Sequence, residues 1–460
     1  MFQTQTPSLA LESGSWTVPV LSATPAAITE KQPAESVWQR LKRSKFACLM
    51  QLVLLLRYLL SRQQHLILTG FHRVCGDRFR LPLWRSRLVV LSDPQAIKEV
   101  LEQDAEVMSA GSMRKRIIGV LPQHCLFYAE GEQHETMRRL VGKAFGQATQ
   151  RLDLNETFGH LACELQSVPV DLRPASIRQG LITLAEKLVF GSSDPVTNEL
   201  AIRMRQSFDG LHSAGMIFPV LRLIPQFGRP FKRYRQVQTE LQGVIEERMT
   251  SGETGDGFLH QLHKGSAGEL SDHEVRDNAA FIFLVVLRTL MPMFRNVAHA
   301  LAVETKWQNK LRAADGEGES LYRAVVKETL RLTPFVPIFG RHAQRDIEVD
   351  GFQIAKGEIV IISPMLTHYR PAAFSDPERF NPERFTGREK HRYQFLPFGG
   401  GQHHCIGAGW SMQVTSHLVR SLLPYFELAS SQPHAEAKSL TLRAIFLSRQ
   451  QDGLVIADRG

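Results

Sequence analysis

The chain has 460 residues, of which 43% are hydrophobic and 22% are charged, a composition typical of globular proteins with enough material for one large core. Its five cysteines are odd in number and widely spaced, which argues against a disulfide framework and favours a reducing, cytoplasmic compartment. The formal net charge is +9, but no nucleic-acid-binding motif accompanies it, so we expect no nucleic acid as a partner. A basic surface for an acidic partner protein or for anionic lipid is the preferred interpretation.

The N-terminal region divides into a polar and an apolar part. Residues 1–37 are rich in Pro and Ser and predict a flexible arm. Residues 46–60 are strongly apolar but are shorter than the roughly 20 residues that cross a bilayer, and they lack the features of a signal peptide. They predict an amphipathic helix that is buried, or that makes peripheral contact with a membrane surface.

The next predicted elements are short. Two apolar runs, residues 80–84 and 87–91, flank Arg85-Ser86 and predict a β-hairpin. Asp93-Pro94 is a helix start signal and predicts a helix to about Glu102. We predict a loop over residues 109–128.

Helices are predicted to dominate after that loop. Residues 131–145 predict a basic helix, and residues 252–257 predict a loop between later helices. Ser271 with Glu274 forms a capping box that opens a long apolar helix. Three prolines are predicted to break the chain in one acid-poor stretch: Pro219, Pro225 and Pro230.

The β content is confined to a few segments. Residues 347–362 predict a small sheet, and residues 440–456 predict short strands. No alternation of strand and helix appears, so the fold class is mainly α with a small β region. We expect one large domain over residues 38–460.

One cysteine stands at the end of a glycine-rich loop, in the segment FGGGQHHCIG that covers residues 398–407. Glycines let a flat cofactor approach the backbone closely, and a lone thiolate there suits an axial ligand of haem iron. A structural zinc site at His403, His404 and Cys405 would need a second cluster such as CxxC, and none exists. A phosphate-binding loop would need a Lys-Ser/Thr ending, which is also missing.

Two further motifs accompany this loop in the chain, ETLR at residues 328–331 and FNPERF at residues 380–385. With these three motifs in this order, the chain resembles the cytochrome P450 superfamily of haem-thiolate oxidases from about residue 38 to its C-terminus. The resemblance implies the cytochrome P450 fold and haem b as the cofactor, with Cys405 as the proximal thiolate ligand of the iron. It also implies a buried, structural charge network of Glu328, Arg331 and Arg384.

The resemblance further implies which residues surround the haem. His134 and Arg138 lie four residues apart, on one helix face, and they match the family's propionate-binding helix. Arg341 and His403 match two other propionate-binding positions. The cofactor-binding set is then His134, Arg138, Arg341, Phe398, Gly401, His403 and Cys405.

The distal helix departs from the family pattern. Relatives carry small residues, an acid and Thr, whereas residues 285–289 here read VVLRT. Arg288 therefore stands in the position of the acid, while Thr289 keeps the alcohol, and these two residues are the catalytic candidates. An arginine stays protonated and cannot relay protons as a carboxylate does.

Three interpretations of Arg288 remain open. It could clamp a substrate carboxylate, as in the similar fatty-acid peroxygenase branch, with hydroxylation driven by peroxide. The protein could instead couple aromatic rings oxidatively without inserting oxygen. Alternatively, Arg288 points away and pairs with an acid elsewhere.

The predicted function is oxidation of a hydrophobic or aromatic small molecule by monooxygenation, in secondary metabolism, by a monomeric enzyme. Electrons would come from NAD(P)H through a separate ferredoxin or flavoprotein reductase, because no flavin or nicotinamide domain is fused to the chain. A non-catalytic haem sensor is the alternative from another class. The expected pocket is mostly apolar and is lined by Phe127, Phe218, Val285, Phe335 and Phe339.

Overall fold

A computed structural model describes residues 72, 75–83, 86–117, 119–211, 222–314, 318–387, 393–430 and 454–459. The predicted N-terminal arm, the predicted helix over residues 46–60, Pro219 and Phe218 lie outside these residues, as does most of the predicted strand region at 440–456.

The described residues are mainly helical, as the sequence predicts. The helices are α1 (Pro94–Leu101), α2 (Ala110–Ile117), α3 (Gly131–Gln150), α4 (Leu154–Leu165), α5 (Arg173–Phe190), α6 (Pro195–Asp209), α7 (Pro225–Ser251), α8 (Phe258–Ser266), α9 (Asp272–Val303), α10 (Thr305–Ala313), α11 (Gly318–Leu332), α12 (Pro364–His368) and α13 (Ala408–Leu422).

The strands form three small sheets. They are β1 (Arg78–Leu83), β2 (Ser86–Leu91), β3 (Met108–Ser109), β4 (Phe339–Ala343), β5 (Ile347–Val349), β6 (Phe352–Ile354), β7 (Ile359–Ile362), β8 (Phe426–Ser430) and β9 (Leu454–Asp458). A five-stranded sheet has the order β1-β2-β7-β4-β3, while β5-β6 and β8-β9 are antiparallel pairs. The predicted hairpin is β1-β2, with Leu83 opposite Ser86.

Local signals in the sequence fix several helix starts. The Asp93 side chain accepts hydrogen bonds from the backbone N–H groups of Gln95 and Ala96 and caps α1, with Pro94 in the first turn. Ser271 and Glu274 form the predicted capping box of α9. By length and composition alone, helix α9 could cross a bilayer. However, 56% of its most apolar 18-residue segment is buried inside the protein.

Helix α9 organises the larger core. It packs against α5, α7, α13 and β8, and Phe190 on α5 meets Phe283 on α9 with their ring centroids 5.3 Å apart. A second cluster joins α1 to the five-stranded sheet and includes Tyr393 and Leu396, which lead into the cysteine loop. The larger cluster includes Phe398 and Ile406 of the cysteine loop, so both clusters contact this part of the chain.

Two predictions about secondary structure are wrong. The predicted loop over residues 109–128 contains strand β3 and helix α2, because Glu130 supplies the hydrogen-bond acceptors at the start of α2 from outside it. Pro225 and Pro230 do not break the chain but lie within the first turns of α7. Pro225 is the first residue of α7, where proline replaces an N–H group that has no intrahelical partner. Pro230 lies inside the helix, so one backbone hydrogen bond is missing there, but the helix continues.

Candidate haem-thiolate site

The cysteine loop is a tight turn that places Cys405 in front of α13. The Cys405 backbone N–H donates to the carbonyl of Phe398 at 3.1 Å. Gly401 has a φ of +67°, and a Cβ there would lie 2.2 Å from the carbonyl oxygen of Leu101. Only glycine fits a left-handed position that is packed this closely against backbone, so α1 holds the loop in place.

The Cys405 side chain lies just before α13 and has accessible surface. Burial raises the pKa of its thiol, which the backbone N–H groups of Gly407 and Ala408 and the charge of Arg138 lower in part. Amides at the start of α13 thus point at the sulfur and favour the thiolate.

A cluster of arginine and histidine side chains lies beside this sulfur. The rings of His134 and His403 have centroids 4.0 Å apart. Arg114 on α2 donates through one Nη to the carbonyl of Phe127 at 2.8 Å and approaches Nδ1 of His403 at 3.4 Å. Arg341 is only 4% exposed and donates to the carbonyl of Gly340.

The buried positive charge of this cluster favours the binding of an anionic group. Burial lowers the pKa of Arg341 to about 9, helped by Arg114, and lowers the pKa of Arg114 itself to about 10. Both remain charged at neutral pH, and Glu130 is the acid that offsets them. Burial and the neighbouring arginines lower the pKa of His134 to about 4. Buried positive charge that is only partly compensated needs a negatively charged partner.

Haem fits the residues present. Its iron would meet the Cys405 sulfur, and its two propionates would meet Arg114, His134, Arg138, Arg341 and His403. Among the described residues, no group of three or more His, Cys, Asp or Glu could hold a separate metal ion. The predicted propionate-binding residues therefore lie together, and Arg114 joins them.

A buried ion network lies next to the segment that leads into the cysteine loop. Arg331 and Glu328 make a bidentate pair at 2.7 and 2.8 Å, and both side chains are fully buried. The Arg384 Nε lies 3.3 Å from Glu328. The structure thus brings together the three charges that the sequence motifs pair.

His368 links this network to the cysteine loop. Its Nε2 accepts a hydrogen bond from the Leu396 backbone N–H at 2.7 Å, so its Nδ1 donates to the carbonyl of Arg331 at 3.1 Å. Burial lowers the pKa of His368 to about 3, which keeps this tautomer neutral. The ring therefore connects the ion network to the segment before Cys405 through two hydrogen bonds.

One face of α9 is partly accessible within an otherwise buried stretch. Phe281, Val285, Arg288, Thr289 and Pro292 recur at helical spacing and are each half-buried, while most of their neighbours are fully buried. Thr289 is the one hydroxyl between residues 281 and 292, and its Oγ1 donates to the carbonyl of Val285 at 2.8 Å. This face is the candidate distal side of the cofactor space.

Arg288 pairs with an acid from another helix. Its Nη1 is paired with the carboxylate of Asp209 at the end of α6, and its guanidinium lies 4.6 Å from the ring centroid of Phe208. This arrangement matches the third interpretation given above. A substrate carboxylate could use Arg288 only by displacing Asp209, so the structure does not support Arg288 as a free clamp.

The predicted pocket residues divide into two groups. The ring of Phe127 lies 5.6 Å from that of Phe281, beside the accessible face of α9 that carries Val285. Phe335 is half-buried, and Phe339 packs against the cluster under the sheet. Phe127 and Val285 are therefore placed together, while no contact among the described residues brings Phe339 to them.

Comparison with known proteins decides the family. The family model described as Cytochrome P450 matches residues 44–284 and 315–455. The chain belongs to the cytochrome P450 family. As a P450 it is a haem-thiolate oxidoreductase that acts on a small molecule and takes electrons from a redox partner.

Three similar proteins share between 18% and 27% of their residues with this P450. A Mycobacterium tuberculosis protein named as a cytochrome P450 135A1 is 25% identical over 82% of this chain and 88% of its own. A Mycobacterium bovis protein named as a cytochrome P450 135B1 is 27% identical over 85% of this chain and 86% of its own. The solved structure of cyanobacterial CYP120A1 with retinoic acid bound covers 88% of this chain and 96% of its own, with a TM-score of 0.73 and 18% identity. That last likeness shows the fold alone.

Four residues of the P450 site were missed in the sequence: Arg114, Asp209, Phe281 and His368. Phe281 lies four residues before Val285 and could have been found from helical spacing. The other three act through partners that are distant in the chain, and no local pattern marks them.

Proposed function

We propose that this P450 is a monooxygenase of a hydrophobic or aromatic small molecule, supplied with electrons from NAD(P)H through a separate ferredoxin or flavoprotein reductase. The observation that carries the proposal is the distal face of α9. It offers apolar surface and one hydroxyl, and its one cation is already paired.

The chemistry divides between the cofactor and the chain. Bound haem supplies the redox-active iron that activates oxygen. Cys405 would hold the iron as its thiolate, and the amides at the start of α13 partly offset the rise in the pKa of its thiol that burial causes. Arg114, Arg341 and their neighbours orient the propionates, because charge-assisted hydrogen bonds to carboxylates are short and directional. The hydroxyl of Thr289 can hold and donate a proton on the distal side.

The apolar surroundings support a hydrophobic substrate. Phe127, Phe281 and Val285 would exclude water and bind through apolar contact rather than through polar anchors. The neighbour in fold binds retinoic acid, which is largely hydrocarbon, and this is in line with a substrate of the same general character.

Oxidative coupling of aromatic rings is a second candidate, because the distal face offers apolar and aromatic surface with one hydroxyl. Residues 278–303 of α9 contain neither Asp nor Glu, so the helix offers no carboxylate to relay protons. Coupling transfers no oxygen atom to the substrate, and the two hydrogen atoms removed from the substrate end in the water that is formed. Peroxide-driven hydroxylation of a carboxylate substrate is the third candidate, because Arg288 is already ion-paired with Asp209.

Isotope labelling separates these reactions. Compounds that shift the Soret band of the holoprotein on binding would be turned over under ¹⁸O₂ with a ferredoxin and its reductase, and products analysed by mass spectrometry. We expect one ¹⁸O atom in the product. Unlabelled, ring-coupled products would establish the second candidate, and full turnover with hydrogen peroxide alone would establish the third.

The distal prediction is tested in the same assay with Arg288→Ala. Removal of the ion-pair partner of Asp209 should change dioxygen-driven turnover more than peroxide-driven turnover, since only the former needs protons from the distal side. Equal rates for the variant and the wild type in both modes would show that Arg288 has no part in the reaction.

A further inference from the structure

Two adjacent polar residues near the start of α9 are buried, and the reaction described above uses neither of them. Asp277 is 2% exposed and Asn278 is fully buried, and both lie about one turn before Phe281 on the distal face. A buried carboxylate or amide is unfavourable unless it has hydrogen-bond partners. Their partners therefore show what these two side chains hold in place.

The Asp277 carboxylate divides its two oxygens between different parts of the chain. Its Oδ2 accepts a hydrogen bond from the backbone N–H of His124 at 2.9 Å and another from the Nδ1 of that residue at 3.0 Å. Its Oδ1 accepts from Nε2 of Gln242 on α7 at 2.6 Å and from the Arg276 guanidinium at 3.0 and 3.1 Å. Burial raises the pKa of Asp277, but the hydrogen bonds from His124 and Arg276 outweigh it and lower this pKa. One carboxylate thus joins the chain before α3 to both α7 and α9.

Asn278 holds the same segment two residues further on. Its Oδ1 accepts a hydrogen bond from the backbone N–H of Leu126 at 2.9 Å. Its Nδ2 donates to the carbonyl of Glu274 at 2.8 Å, which orients the amide within its own helix. The backbone at residues 124 and 126 is therefore bound to two successive side chains of α9.

Phe127 directly follows this anchored segment. Its carbonyl accepts a hydrogen bond from Arg114 at 2.8 Å, and the Arg114 guanidinium lies 4.5 Å from its ring centroid. The Phe127 ring in turn lies 5.6 Å from the ring of Phe281 on the distal face. Phe127 thus lies between a propionate-binding candidate and α9, at a position that the bonds to Asp277 and Asn278 determine.

We propose that Asp277 and Asn278 are positioning residues for the substrate. They hold residues 124–128, the Phe127 loop, against α9, so that Phe127 covers the distal space. This inference rests on the proposed function, because it assigns the cover of the same pocket. Asparagine could not replace Asp277, since an amide presents a donor where the carboxylate presents a second acceptor to groups that donate.

Ligand binding to the full-length holoprotein tests the proposal, with 4-phenylimidazole as the probe and imidazole as its smaller counterpart. Both probes can bind the iron through a ring nitrogen, whereas only the phenyl group would reach the Phe127 loop. Asp277→Asn should weaken the binding of 4-phenylimidazole about tenfold, as expected for a lost hydrogen bond to a charged group, and that of imidazole less than about twofold. Titration of the Soret shift measures both dissociation constants.

A double-variant cycle with Phe127→Leu separates positioning from a general loss of structure. If Asp277 acts through Phe127, Asp277→Asn should weaken 4-phenylimidazole binding no further once Phe127 is leucine. Gln242→Leu removes only the link to α7 and should weaken binding about threefold. This milder variant decides the question if Asp277→Asn does not retain haem, and unchanged binding by Gln242→Leu would then overturn the proposal.

Asp272→Asn is the matched control, because it removes the same charge from an exposed position at the start of α9, and it should bind both probes as the wild type does. Wild-type binding of 4-phenylimidazole by Asp277→Asn would overturn the proposal. Equal losses for the two probes, or additive effects of Asp277→Asn and Phe127→Leu, would also overturn it. None of these measurements needs turnover, so a failure of the proposed oxygen insertion would be seen separately.

Discussion

At the scale of single residues, the site depends on burying more positive charge than the protein neutralises. Arg114 and Arg341 lie in a cluster where burial lowers the pKa of both guanidinium groups. Such a cluster is unfavourable by itself and becomes favourable when a dianion binds. Cofactor retention should therefore depend on each arginine.

Arg114→Gln should release haem at least tenfold faster than the wild type, because a hydrogen bond to a charged group contributes about 1.5–3 kcal/mol. Transfer of haem to excess apomyoglobin measures the rate. Lys115→Gln removes an exposed charge from the adjacent position and should leave the rate unchanged. If Arg114→Gln also retains the wild-type rate, Arg114 does not contact a propionate.

The Glu328 network should behave as a stability element. Glu328→Gln leaves the buried Arg331 without its carboxylate and should reduce the free energy of unfolding by about 3–5 kcal/mol. Urea unfolding followed by circular dichroism measures this. Glu383→Gln breaks an exposed pair with Lys310 and should leave the urea midpoint in place, while a similar loss in both variants would contradict a special role for the network.

At the scale of elements, the ion pair of Arg288 and Asp209 joins α6 to the distal face of α9. The guanidinium contacts both the Asp209 carboxylate and the Phe208 ring. Asp209 also lies 3.5 Å from Arg205, one turn earlier on α6. Movement of the end of α6 must therefore break a largely desolvated pair.

Asp209→Asn and Arg288→Gln should each speed dissociation of a bound hydrophobic ligand several-fold, and the double variant should be no faster than the faster single one. Such non-additivity is expected for two residues that act through one interaction. Stopped-flow measurement of the Soret shift gives the rates. Glu199→Gln, at an exposed position on the same helix, is the control, and additive effects of the two single changes would show that the pair does not hold the helices together.

The helix starts differ in how far they could be predicted from the sequence. The starts of α1 and α9 carry their own capping residues, so Asp93 and the Ser271–Glu274 box could be read from the chain. Helix α2 has a glycine at its second position, and Glu130 accepts from the backbone N–H of that Gly111. Its stabilising contact is not local, so neither the helix nor Arg114 on it could be predicted.

At the scale of the whole molecule, protonation of buried histidines should limit stability in acid. Burial lowers the pKa of His368 from 6.5 to about 3, so below pH 6.5 the unfolded chain binds a proton that the folded chain excludes. The contribution of His368 to stability is complete above that pH and is lost as the pH falls toward about 3.

Unfolding by urea between about pH 7 and pH 5 measures this loss, which should approach ~1.4 kcal/mol per pH unit for one such group. His368→Gln keeps a neutral donor and acceptor, and its free energy of unfolding should fall less steeply with acid. Parallel curves for the wild type and the variant would mean that His368 is protonated in the folded protein.

The fold and the family could be predicted because three motifs carry them, whereas the substrate could not. The proposed pocket is lined by side chains such as Phe127 and Phe281, which meet only in the folded chain. The pairing of Arg288 was one of three interpretations in the sequence, and its choice required the position of α6.

The most direct test of the account is the difference spectrum of the reduced holoprotein with carbon monoxide. Ligation of iron by the Cys405 thiolate predicts a Soret band at ~450 nm, its loss in Cys405→Ala, and its retention in Cys163→Ala, where the cysteine is exposed. A haem-loaded wild type without that band, or an unaltered band in Cys405→Ala, would contradict the account.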